Sequence, residues 1–137
     1  MDEHEPVDDD EFVYRRIHRT FFDASVAIPI QFPAFRPNPN DTAGLSVFRS
    51  SLGPPADTLA QIDPTKVKDY FVARLSVRNL RSLGLTIAPE PVLGGPLGHA
   101  IIPELSWVAY QAKKQLWKPI LVELAKLASD DIVHRAS

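Results

Sequence analysis

Cysteine is absent from this chain of 137 residues, which removes disulfide frameworks, zinc ribbons, thiol nucleophiles and iron–sulfur clusters together and fits a reducing compartment. Long apolar runs are missing as well. No window approaches the roughly 18 uninterrupted apolar residues of a membrane-spanning helix, and the first residues are acidic, unlike the basic start of a secretory leader. The expectation is a soluble, unsecreted, cytoplasmic protein with no membrane partner. The four histidines, His4, His18, His99 and His134, show no HxxxH, HExxH or HxH spacing, so no metal is expected. No GxGxxG or GxxxxGK loop is present; Gly94-Gly95-Pro96-Leu97-Gly98 reads as a turn, and no cofactor is expected. Ser50-Ser51 does not sit in a nucleophile elbow.

What is present is ordinary globular composition, 45% hydrophobic and 23% charged, in a length that suits one core-forming domain. The formal charge of -2 conceals an asymmetry: seven of the 17 acidic residues fall in the first eleven positions. Residues 12–137 then hold 15 basic against 10 acidic side chains. The acidic start reads as a disordered, solvated tail over residues 1–11, with a single α+β domain over 12–137. A sharper reading has that tail folding back over a basic surface or docking on a basic partner. Basic clusters occur at Arg15/Arg16/Arg19, Arg74/Arg78/Arg81 and Lys113/Lys114/Lys118. Without a helix-turn-helix, RRM or zinc signature, and with an acidic segment competing for the same charges, nucleic-acid binding is not expected.

Proline, at 13 residues, is well above the usual share of about 5% and falls mostly between elements. The fold expected is α+β, a small and mainly antiparallel sheet from segments near 12–18, 28–35, 45–50, 85–88 and 99–103. Pro29 and Pro33 make the second of these an edge strand or extended chain. Asp63-Pro64 signals a helix running to about Arg74 along Val67, Tyr70 and Phe71. Ser76 caps a second helix with Val77, Leu80 and Leu83 inward, stopping at Gly84. A long C-terminal stripe from Leu105 to Leu127 is either kinked at Pro119 or broken near Trp117-Lys118.

Two groups of residues offer function. If Val13-Tyr14-Arg15-Arg16-Ile17-His18 is a strand, alternation places Tyr14, Arg16 and His18 on one face. Arg16 supplies a fork for phosphate or carboxylate, His18 an acid or base, and Tyr14 a phenol. His99, between Gly98 and Ala100 at the mouth of a strand, and the Ser46/Ser50 face complete a conceivable anion-binding pocket. Catalytic candidates are thus His18, His99 and Arg16, with Tyr14, Arg16, Ser46 and Ser50 as ligand-binding residues. The plainer alternatives are a solvated strand edge at Arg15, Arg16 and Arg19, and a hydrogen-bonded structural role for His99.

Basic, aromatic and hydroxyl groups spread over separate strands resemble, in residue types, ADP-ribosyltransferase-like and RNA-phosphotransferase folds. That likeness implies a small enzyme or ligand-binding domain for a phosphorylated or nucleotide-like substrate, although the customary catalytic glutamate has no counterpart beyond Glu90 and Glu104. The YRRIH opening, LSV strand and GHA step are also similar to small bacterial proteins, a likeness that transfers no activity. The leading expectation is different: a noncatalytic interaction or accessory module within a larger assembly or homo-oligomer. It rests on excess apolar surface at Leu116, Trp117, Ile120, Leu121 and Leu124, which would meet a protein partner or a second copy.

Overall fold

The computed structural model describes residues 2–137, and among them six strands form one sheet accompanied by three α-helices. The strands are β1 (Phe12–His18), β2 (Leu45–Arg49), β3 (Tyr70–Ser76), β4 (Ala88–Pro89), β5 (His99–Ile102) and β6 (Ile132–His134). The helices are α1 (Val77–Ser82), α2 (Trp107–Ala112) and α3 (Lys114–Ser129). Across the sheet the order is β4-β5-β2-β1-β3-β6, antiparallel throughout, so the architecture is α+β. No helix of the described residues is long and apolar enough to cross a membrane.

Alternation along the strands sorts the side chains between two unequal layers. One face sends Val13, Ile17, Leu45, Val47, Phe71, Ala73, Leu75, Ala100 and Ile102 into the main core, where they meet Leu121, Leu124, Ala125 and Ala128 of α3. The opposite face carries a smaller cluster of Tyr14, Phe48, Val72 and Leu59, with Ile62, Val67, Tyr70 and Val133 packed around it. All three helices contribute to the first layer. The second face is left partly open, and Arg16, His18, Ser46 and His99 lie on it.

Several expectations need correction. The helix proposed from Asp63 to Arg74 is a short 3₁₀ turn, Val67–Asp69, running into β3. Asp63 does cap locally, its Oδ1 accepting from the Thr65 N–H (3.0 Å) and hydroxyl (2.8 Å), but what it caps is a turn. β3 carries Phe71, Ala73 and Leu75 on the core face and Tyr70, Val72, Arg74 and Ser76 on the other, where Val72 alone is buried. The sheet is therefore covered by one middle helix, not two. The proposed strand over 28–35 is a 3₁₀ turn at Phe32–Phe35, with one isolated bridge from Ile30 to Phe22. The C-terminal stripe breaks at Lys113 (φ −145°, ψ 48°), between α2 and α3. Pro119 lies inside α3, where its ring bears on the Gln115 carbonyl near the helix start. By contrast, Ser76 caps α1 through Asn79 N, and Gly84 follows at φ +83°.

The acidic segment lies against the domain. Arg49 projects from β2 on the apolar face and is 2% exposed. It donates to the Glu5 carbonyl (2.7 Å) and to both carboxylate oxygens of Glu11 (3.0 and 3.1 Å). Val7 is buried in the core, and Arg81 reaches its carbonyl at 2.7 Å while also pairing with Asp9. Arg78 holds Asp10 at 2.9 Å. This is the fold-back arrangement, with the basic surface supplied by Arg49, Arg78 and Arg81 of the chain itself. Burial alone would push the Glu11 carboxyl up; hydrogen bonds from Ser51 and the Asp8 N–H, with the Arg49 charge, outweigh it and hold it below its ordinary 4.5.

Breaking a buried ion pair from one side leaves the other charge stranded, at a cost of about 3–5 kcal/mol. Arg49→Ala is expected to lower stability by about that much in urea unfolding. Because the folded value of Glu11 is depressed, its contribution is complete above pH 4.5 and fades as pH falls through the lower folded value. Glu11→Gln should therefore remove that part of the acid-side loss.

Candidate functional site

The site begins where two neighbouring strands separate. β1 is in register with β3 along its whole length, but with β2 only at Val13↔Arg49 and Tyr14↔Phe48. Past that point the strands part, and Arg15 spans the gap, donating to the carbonyls of Ser46 and Ala34, each at 2.9 Å. Among the described residues its buried Nε has no hydrogen-bond partner, and no carboxylate lies within ion-pairing distance. Burial lowers the Arg15 guanidinium to about 10, Asp41 opposing and Arg16 reinforcing the shift, so it remains charged at neutral pH.

The opening between the strands is a cleft of about 310 Å³, walled by Arg15, Arg16, His18, Ser46, Asp41 and Tyr70 among others. Arg16 lies 4.9 Å over the Phe48 ring and donates once, to the Thr58 carbonyl at 3.2 Å. Burial lowers its pKa, with Tyr70 acting in the opposite sense. It too lacks a carboxylate partner among the described residues. The His18 ring stands edge-on to Tyr70 at 5.2 Å, and its Nδ1 accepts from the Thr20 N–H at 3.2 Å. That bond assigns the ring proton to Nε2 in the neutral imidazole. Arg16, His18 and Tyr70 thus line one cavity whose only acidic wall residue, among the described residues, is Asp41.

His99 lies on the same face of the sheet, in an adjoining pocket of about 140 Å³ with Phe48, Gln61 and again Arg16. The two imidazoles belong to neighbouring pockets, with Arg16 in the wall of both. Since a carbonyl can only accept, His99 Nδ1 donates to the Glu90 carbonyl at 2.7 Å. In that tautomer Nε2 is an acceptor, and it faces the Ser46 hydroxyl at 3.1 Å. The Glu90 carboxylate stands 3.8 Å from Nδ1.

Four sequence candidates therefore come together: Arg16, His18, Ser46 and His99. Tyr14 and Ser50 do not. Tyr14 is 7% exposed inside the small apolar cluster, where burial raises its hydroxyl pKa, Arg74 opposing and Asp131 adding to the rise. Ser50 has left the strand for a 3₁₀ turn, Ser50–Leu52. The interaction surface shrinks as well: Leu121 and Leu124 are fully buried in the core, Trp117 and Ile120 pack against it, and Leu116 remains, 69% exposed. Nor is β1 a solvated edge, since it pairs on both sides.

Arg15, Asp41 and Tyr70 were missed, and Glu90 entered only through the resemblance. For Arg15 a signal existed, a charge between Val13 and Ile17 on the apolar face; for the others nothing local distinguishes them. Among the described residues no group of three or more His, Asp or Glu side chains could hold a metal ion. Compared with known proteins, the chain matches no family model, no curated protein and no solved structure.

Gly98 sets the direction of His99. It adopts φ +84°, and an added Cβ would stand 3.1 Å from the Arg49 carbonyl oxygen and 3.2 Å from the Arg49 nitrogen. Gly98→Ala is expected to cost about 1–3 kcal/mol of backbone strain in chemical unfolding. It should also shift the His99 ring resonances, because the bond from Arg49 N to the Gly98 carbonyl (2.8 Å) ties the two positions together.

Proposed function

We propose that this protein is a ligand-binding domain or small enzyme for a phosphorylated or nucleotide-like molecule, whose anionic group docks in the cleft between β1 and β2. The observation that carries the reading is Arg16, a half-buried guanidinium at the cleft wall with, among the described residues, one carbonyl partner and no paired carboxylate. A charge withdrawn from water is costly unless it is paired, and a phosphate would supply the missing pair. His18 and Tyr70, whose side chains carry donors, line the same cleft. The resemblance in residue types to ADP-ribosyltransferase-like and phosphotransferase-like pockets points the same way.

Isothermal titration with pyrophosphate and with ADP tests this. Saturable binding is expected, and Arg16→Met should weaken it about tenfold to hundredfold, the equivalent of a charge-assisted hydrogen bond of about 1.5–3 kcal/mol. Absence of binding by folded wild-type protein to either probe would reject the reading.

A second reading, a noncatalytic accessory module in a homo-oligomer or larger assembly, keeps one specific support. Leu116 and Val108, 69% and 73% exposed, stand on α3 and α2. If they form a self-association surface, light scattering will give more than a single-chain mass, and Leu116→Asp will return it to one chain. A single-chain mass for the wild type at high concentration removes the self-association form of this reading.

A further inference from the structure

The hydrogen-bond chain from Ser46 through His99 to Glu90 has a polarity that the phosphate-binding reading leaves unused. The Glu90 carbonyl fixes the proton of His99 on Nδ1, and this turns the Nε2 lone pair toward Ser46 Oγ. Among the described residues Ser46 Oγ has no other hydrogen-bond partner, and Ser46 lines the cleft. Its hydroxyl proton is thus directed at a base, and Ser46 lines the cavity in which Arg16 stands. A nucleophile in contact with a base, the base oriented by a third group, and a cation at hand for developing negative charge are the parts of a nucleophilic site. A purely structural serine-histidine pair would tie β2 to β5 equally well, but it would not need to border a cleft that Arg16 shares.

We propose that Ser46 is a nucleophile activated by His99, and that its substrate is a phosphate ester or anhydride held through Arg16. The proposal rests on the phosphate-binding reading for its substrate class. Ser46 Oγ forms a bond to phosphorus while the bond from phosphorus to the leaving oxygen breaks. The Oγ proton passes to His99 Nε2 and from there to the leaving oxygen. Water gives its proton to His99 Nε2 and attacks the phosphoserine phosphorus; the bond from phosphorus to Oγ breaks, His99 returns the proton to Oγ, and phosphate is released. The Glu90 carboxylate, 3.8 Å from Nδ1, favours the imidazolium formed on the way.

A fluorophosphonate probe reads the nucleophile directly, because attack at its phosphorus expels fluoride and leaves a stable adduct. Incubation of the full chain, followed by intact-mass and peptide mapping, is expected to place one adduct on Ser46. Ser46→Ala should abolish it, and His99→Gln should slow it about hundredfold or more, with circular dichroism confirming that each variant is folded. Folded wild-type protein that stays unlabelled at Ser46, or labelling whose rate ignores His99→Gln, overturns the proposal. Should His99→Gln not fold, the adduct site on the wild type and its loss in Ser46→Ala decide the matter. Pyrophosphate separates the two ideas: protection of Ser46 supports both, whereas labelling that pyrophosphate leaves untouched upholds the nucleophile and rejects the phosphate cleft.

Discussion

A guanidinium on the apolar face of a sheet has to find acceptors, and the rest of this structure follows from where Arg49 finds them. β2 alternates Leu45, Val47 and Arg49 into the same layer, so the third position delivers a charge where the first two deliver hydrocarbon. The residues before β1 supply the Glu5 carbonyl and the Glu11 carboxylate, and in doing so they cover the end of β2. Ser51 binds the same carboxylate at 2.7 Å, and the Glu3 carboxylate accepts from Gly98 N at 3.2 Å. The acidic segment is thereby linked to the turn that launches β5, and with it to His99.

A second guanidinium does comparable work without a carboxylate. Arg15 reaches across the gap that opens between β1 and β2, meeting the Ser46 carbonyl of β2 and the Ala34 carbonyl of the Phe32–Phe35 turn. A sheet that parts exposes unpaired strand groups, which must be satisfied by side chains or water. Arg15 satisfies the Ser46 carbonyl, and the remaining width becomes a cavity lined by polar side chains. Burial works against its charge, and Asp41, which also lines the cleft, acts in the opposite sense without bonding to it. Neighbouring Arg16 repeats the imbalance on the opposite face. Two adjacent cations with three carbonyls and no bonded carboxylate define the electrostatic character of the site.

How much of this could be read in the sequence depended on whether the cause was local. The face shared by Arg16 and His18 follows from strand alternation, and the Ser76 cap and Gly84 stop follow from backbone chemistry within a few residues. β3 was hidden because Val67, Tyr70, Phe71 and Arg74 also fit a helical spacing, and Asp63 offered a real but misleading cap just before them. The excess apolar surface assigned to α3 was the surface needed to cover a six-stranded sheet, so Leu121 and Leu124 vanish into it. The parting of β1 from β2 has no signature in either strand, since it depends on a register set between segments far apart in sequence.

The unequal division of the two faces explains why the polar residues could collect where they do. With α1, α2 and α3 all contributing to one layer, that side supplies most of the buried apolar area and hence most of the hydrophobic stabilisation. The other face needs only the Tyr14, Phe48, Leu59 and Val72 cluster, part of which also serves the site, since Phe48 packs against both Arg16 and the His99 ring at 5.5 Å. Polar side chains on a helix-covered face would each have required a buried partner. On the partly open face they meet one another and a cavity instead. Changes that enlarge the main core should therefore leave the geometry of Arg16, His18, Ser46 and His99 intact, whereas changes at Phe48 should disturb stability and site together.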